Sequence, residues 1–226
     1  MDVAEERAPR RAHRNMWALW AVPAGVLGVV TNVGLDDQTS DLEKLQPWDA
    51  ATIGELNRTL YAAGVITGFA AIACLVLFIA GWKRWSSERR TTGLASGAVS
   101  VALTVSAGAM LVGYGVKGAL AEYLPGGSND DNFSPDALLV LFTLNDTAGW
   151  YAWWGVVIAA GCCAWLGLRD RILPTWVAAI GVLALLLPTI AMVFTGAVAI
   201  AGLVGPLWLI VLGLALALKR EGANIA

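Results

Sequence analysis

From Thr175 to Leu218 the chain runs 44 positions without a charged residue. A helix of that length would measure ~66 Å, about twice the ~30 Å hydrocarbon core of a bilayer, so the run must cross, turn and cross back. Thr195-Gly196 is the expected turn. Two crossings, at 174–194 and 199–218, join four further apolar stretches at 17–34, 60–81, 95–116 and 148–168. The expected fold is therefore all-α, a polytopic bundle of six transmembrane helices. Only 14% of residues are charged, where soluble domains carry about 25%, and the mean hydropathy of +0.66 fits a chain dissolved in lipid.

Charge orients the bundle. Arg7, Arg10, Arg11 and Arg14 precede the first span, Lys83, Arg84, Arg89 and Arg90 follow the second, Arg169 and Arg171 follow the fourth, and Lys219 and Arg220 follow the sixth. Twelve of the 15 basic residues thus lie on alternate connections, and only Lys44, Arg58 and Lys117 lie on the other side. Acids such as Asp36, Asp37, Glu122 and Asp130 gather there. The positive-inside bias predicts cytoplasmic tails at 1–16 and 219–226, a six-helix domain over 17–218, and a multi-pass plasma-membrane protein. Asp2, Glu5 and Glu6, with no clear A-x-A site after the first apolar run, argue for a retained span over a signal peptide.

Local signals refine the helices. Trp48-Asp49 offers a cap for a second helix rising out of the membrane. Ser134-Pro135-Asp136 combines a capping hydroxyl, proline at the first helical position and a dipole-favoured acid. The fourth helix therefore starts at 135 and is either long and tilted or broken near Gly149. Trp17, Trp82, Trp85, Trp165 and Trp176 are placed for a cytoplasmic aromatic belt, while the cluster from Trp150 to Trp154 surrounds its helix and must in part face protein or a ligand. Gly64 and Gly68, Gly93 and Gly97, and Gly155, Ala159 and Cys163 recur at spacings that let helices approach closely. Pro23, Pro188 and Pro206 predict kinks.

The chemical inventory is sparse. The single histidine, His13, is in a tail, and Cys74, Cys162 and Cys163 lie in spans without metal-ligand spacing. No phosphate-binding loop or dinucleotide fingerprint is present, so no cofactor, metal or nucleic acid is implied. One acid, Asp146, stands in an apolar stretch about 11 residues below the start of its helix. An ionisable group there normally faces a bundle interior or wet cavity beside a partner, for which Lys117, Arg58, Asn32 and Tyr114 are candidates. Ser96, Ser100 and Thr104 form a hydroxyl stripe best read as structural.

Leu144-Asn145-Asp146, Leu166-Gly167-Leu168, Ile172-Leu173-Pro174-Thr175-Trp176 and Pro206-Leu207-Trp208 resemble a bacterial family of small six-span proteins known as a domain of unknown function. The resemblance covers the second half of the chain and implies the architecture, not an activity.

Three function classes stay open. The leading one is a non-enzymatic protein that binds a hydrophobic small molecule, another amphiphile or a membrane protein partner in an outward-facing pocket lined by Asp146, Asn145, Trp150, Trp154 and Lys117. The second is an enzyme acting on an isoprenoid or lipid, with Asp146 as general acid and aromatic faces stabilising a carbocation as in integral terpene cyclases. The third is a small secondary transporter, although residues 1–116 and 135–218 show no convincing repeat.

Overall fold

In a computed structural model the chain is described over residues 15–36, 52–88 and 93–219. Six helical spans account for almost all of it, at Met16–Gly34, Arg58–Ser87, Leu94–Tyr123, Pro135–Leu168, Thr175–Thr195 and Ala201–Leu218. The fold is the expected all-α bundle of six membrane-spanning helices.

Span 1 changes helix type twice. A 3-10 turn at Met16–Trp20 leads into α1 at Ala21–Val29, and a π turn at Val30–Gly34 ends it. Next come α2 at Arg58–Ser87 and α3 at Leu94–Tyr123, each of 30 residues. Span 4 is broken: α4 at Pro135–Tyr151 and α5 at Trp154–Leu168 meet at Ala152 and Trp153. Finally α6 covers Thr175–Thr195, capped by Gly196 at φ +70°, and α7 covers Ala201–Leu218. The start of α4 is as expected, with Ser134 Oγ accepting from the Ala137 N–H at 3.4 Å. The cap of α2 is different. Asn57 accepts from the Thr59 N–H at 3.1 Å, a 3-10 turn at Thr52–Glu55 precedes it, and Trp48-Asp49 lies outside the described residues.

Both described ends of the chain share one face of the bundle, here called proximal: the Asn15 side chain donates to the Leu216 carbonyl at 3.4 Å. Two tryptophans expected in a belt on that face are core instead. Trp82 and Trp85 are buried, pack tilted with ring centroids 5.2 Å apart, and continue into Phe78 and Trp17. Indole burial needs a partner for its N–H, and Trp82 donates to the Ser96 carbonyl at 3.3 Å. Trp165 and Trp176 remain exposed.

Helix approach is set by small residues. The backbone of α3 at Ala102 lies so close to Gly155 that a side chain there would strike its carbonyl, and Gly68 receives the Tyr114 ring. Gly93 and Gly97, of the same spacing, have open space, so that pair is spacing without packing. At the break in span 4 the Ala152 carbonyl accepts from Ser106 Oγ of α3, which satisfies a backbone group the interrupted helix leaves open.

Replacing Gly113 by Ala places a Cβ 2.9 Å from the Ala148 carbonyl oxygen and should cost about 1–3 kcal/mol. Gly115→Ala meets nothing within 4 Å and should be neutral or stabilise by up to ~1 kcal/mol. Thermal unfolding of the two variants in detergent checks the contrast.

Candidate functional site

The buried polar groups converge opposite the proximal face. On α3, Lys117 is 2% exposed, and its ammonium lies 3.3 Å from Asp36 Oδ2, 3.2 Å from the Thr31 carbonyl and 3.0 Å from the Leu35 carbonyl. Three N–H donors thus meet three acceptors, and the Tyr61 ring lies 5.6 Å beneath. The carbonyls belong to the end of a helix, where the dipole is negative and a cation is favoured. Room for the lysine stem comes from Gly64, whose added Cβ would fall 2.6 Å from Lys117 Cδ.

The π turn supplies two more links. Thr31 and Thr67 share a hydroxyl hydrogen bond of 2.7 Å, joining span 1 to α2. Asn32 donates to the Gly202 carbonyl of α7 at 3.2 Å and accepts from the Tyr114 hydroxyl at 3.3 Å, which in turn accepts from the Trp153 indole at 3.1 Å. Asn145 donates to Asp36 Oδ1 at 3.5 Å. The π turn and the two residues after it are therefore hydrogen-bonded to spans 2, 3, 4 and 6. Burial pushes the Asp36 carboxyl above the ordinary aspartate range, against the pull of Lys117.

Depth follows from counting turns. From Trp85 back to Gly64, and from Ser96 forward to Lys117, each helix climbs about 21 residues, or ~32 Å, roughly one hydrocarbon core. The hub therefore sits at the distal boundary of the apolar slab. Above it Ile53, Leu56, Tyr61, Leu120, Leu138 and Phe142 form a small separate core over the polar groups.

The five residues expected to line one pocket are divided by this arrangement. Lys117 and Asn145 are inside the hub, while Asp146 is exposed on α4, at the edge of the buried arc that carries Phe142 and Asn145. Lys117 pairs with Asp36, not with Asp146. Trp150 is half-buried with its ring against Gly202, and Trp154 is half-buried at the start of α5. The fully buried member of the aromatic cluster is Trp153, packed on Gly28. Arg58 reaches the Ala121 carbonyl at 3.4 Å. In the hydroxyl stripe Thr104 bonds back to the Ser100 carbonyl at 2.8 Å.

A second feature lies toward the proximal face, where the sequence pointed to no site. An apolar groove of about 720 Å³ runs between α3, α5 and α6, lined by Ala98, Ile158, Cys162 and Asp170 among others. A neighbouring groove of about 590 Å³ is lined by Val182, Leu186, Leu168 and Arg169. Gly161, Trp165 and Leu185 line both, so the exposed Trp165 indole stands as a ridge between them. None of the five expected pocket residues lines either groove. From Ile158 on α5 to Asp170, two residues past its end, the distance is ~18 Å, somewhat over half the hydrocarbon thickness. Among the described residues no group of three or more His, Cys, Asp or Glu side chains could hold a metal ion.

No family model, curated protein or solved structure matches the chain. The resemblance of the second half to a bacterial six-span family is therefore not supported, and the spanning helices lie in both halves of the described residues. Its motifs were leucines, glycines, prolines and tryptophans at helix ends, which unrelated pairs of membrane helices reuse for the same packing reasons.

Replacing Asp36 by Leu strands the Lys117 ammonium and should cost about 3–5 kcal/mol, as should Lys117→Met alone. The double variant, with both charges gone, should recover most of that loss. A double-mutant cycle by thermal unfolding in detergent measures it.

Proposed function

We propose that this chain is a non-enzymatic membrane protein that binds an amphiphile from within the bilayer. The observation that carries the reading is the pair of grooves flanking Trp165, which open sideways between helices and have volumes in the range of small-ligand sites. Their position favours a lateral entry route over the outward-facing pocket that the sequence suggested. The basic residues on alternate connections support a cytoplasmic proximal face and residence in the plasma membrane. On that orientation the grooves belong to the cytoplasmic leaflet.

One observation favours the outward pocket as a second reading. Asn145 Oδ1 is buried beside Asp36 with no hydrogen-bond partner among the described residues, so a polar ligand atom entering there would find an acceptor. An isoprenoid enzyme using Asp146 finds less support, because the carboxylate stands on an exposed arc and not in an enclosed apolar chamber. Transport finds partial support in the two irregular spans, but the ammonium buried at the end of the first of them is already fully bonded.

Native mass spectrometry of the full chain, extracted in a mild detergent, should show a retained adduct of lipid mass. Ala98→Trp, which fills the larger groove, should remove the adduct while leaving thermal stability within ~1 kcal/mol. Asn145→Leu should leave the adduct in place. The opposite pattern would favour the outward pocket.

A further inference from the structure

The two grooves share a ridge, and the ridge ends at a charged turn. Trp165 stands between the apolar channels, and the Arg169 guanidinium carbon lies 5.6 Å from its ring centroid. Arg169 lines one groove and Asp170 lines the other, so the pair presents a cation and a carboxylate side by side at the proximal mouths. The turn that carries them is built, not loose. The Ile172 N–H closes onto the Leu166 carbonyl at 3.1 Å, and Lys219 from the last helix reaches the Ile172 carbonyl at 2.8 Å. Within it Arg171 adopts φ +52°, a left-handed backbone unfavourable for a non-glycine residue and maintained by the surrounding bonds.

Building on the amphiphile reading, we infer that the occupant is a single diacyl aminophospholipid, a phosphatidylethanolamine, with one chain on each side of Trp165 and its headgroup on the Arg169-Asp170 turn. Two channels of similar size divided by one indole suit two hydrocarbon chains joined at a glycerol. A single-chain amphiphile would fill only one of them. The headgroup follows from charge: a phosphate pairs with Arg169, and an ammonium that still carries N–H donors pairs with Asp170. Phosphatidylglycerol has no cation for Asp170, and a choline headgroup has no N–H to donate. Followed along the chain, the larger groove is ~18 Å long and the smaller ~12 Å, each within the depth of one leaflet's hydrocarbon.

The test is lipid titration of the purified full chain, followed by native mass spectrometry, with dioleoyl phosphatidylethanolamine, phosphatidylcholine, phosphatidylglycerol and lyso-phosphatidylethanolamine offered separately. Phosphatidylethanolamine should be retained about tenfold more tightly than each of the other three, the effect of one charged hydrogen bond or one unfilled channel. Asp170→Asn, an isosteric substitution that removes the charge from the larger groove's lining without changing its shape, should abolish the preference over phosphatidylcholine and keep diacyl binding. Ala98→Trp should lower retention of every diacyl lipid. Equal retention of all diacyl headgroups, still lost in Ala98→Trp, would overturn the headgroup assignment and leave the amphiphile reading intact. Retention of lyso-phosphatidylethanolamine as tightly as the diacyl form would overturn the two-channel assignment. No retention of any lipid by the wild-type chain would overturn both the inference and the function it rests on.

Discussion

A lysine ammonium withdrawn from water at the far end of a membrane bundle must find three acceptors, and Lys117 finds all of them on the residues that close the first span. That requirement explains the irregular turn. An α-helical ending keeps carbonyls bonded along the axis, whereas the π turn at Val30–Gly34 leaves the Thr31 and Leu35 carbonyls on the side of Lys117 and directs Asn32 toward Tyr114 and Gly202. A buried ion pair contributes little net stability compared with apolar packing, but its loss on one side is severe. The pair therefore acts chiefly as a specificity device, fixing the rotation and height of span 1 against α2, α3, α4 and α7.

Span 5 is joined to the bundle differently. It packs on α5 and α7 through small residues, with Gly167 against Ala178 and Gly181 against the Ala160 carbonyl, and none of the hub's hydrogen bonds reaches it. Helices held by backbone approach alone leave space wherever the small residues end. Here Leu185 over Gly161 marks that limit, and the two grooves open on either side of Trp165. The bundle thus has a polar, tightly specified distal end and an apolar, more open proximal flank. A ligand site in the second region does not need to disturb the first.

Much of the fold was legible because a 20-residue apolar run in lipid has few solutions, and because Ser134-Pro135-Asp136 starts a helix by a mechanism that needs no tertiary help. Asp36 was not legible as a buried group. Between spans a carboxylate reads as a loop residue, and its burial depends on a π turn with no sequence signature. Trp82 and Trp85 look like belt residues by position, yet they are buried by packing, Trp85 on Trp17 and Trp82 on Trp85 and Phe78. Trp153 was hidden among its neighbours because the break at Ala152 shifts the helical register, so regular spacing cannot say which indole turns inward. The grooves were hidden for a different reason. They open where packing ends on either side of Trp165 and of the Leu185–Gly161 contact, and apolar residues facing a cavity look the same in sequence as those facing lipid.

Lys117 is closed off at the distal end by the chain leaving span 1. Amine-specific labelling of the folded full chain with an N-hydroxysuccinimide reagent, read residue by residue by mass spectrometry, addresses it directly. Lys83, exposed at the proximal face, should be modified readily, while Lys117 should stay unmodified until the protein is unfolded. Modification of Lys117 at the rate of Lys83 in the folded protein would mean that its ammonium is open to water and that the end of span 1 does not enclose it.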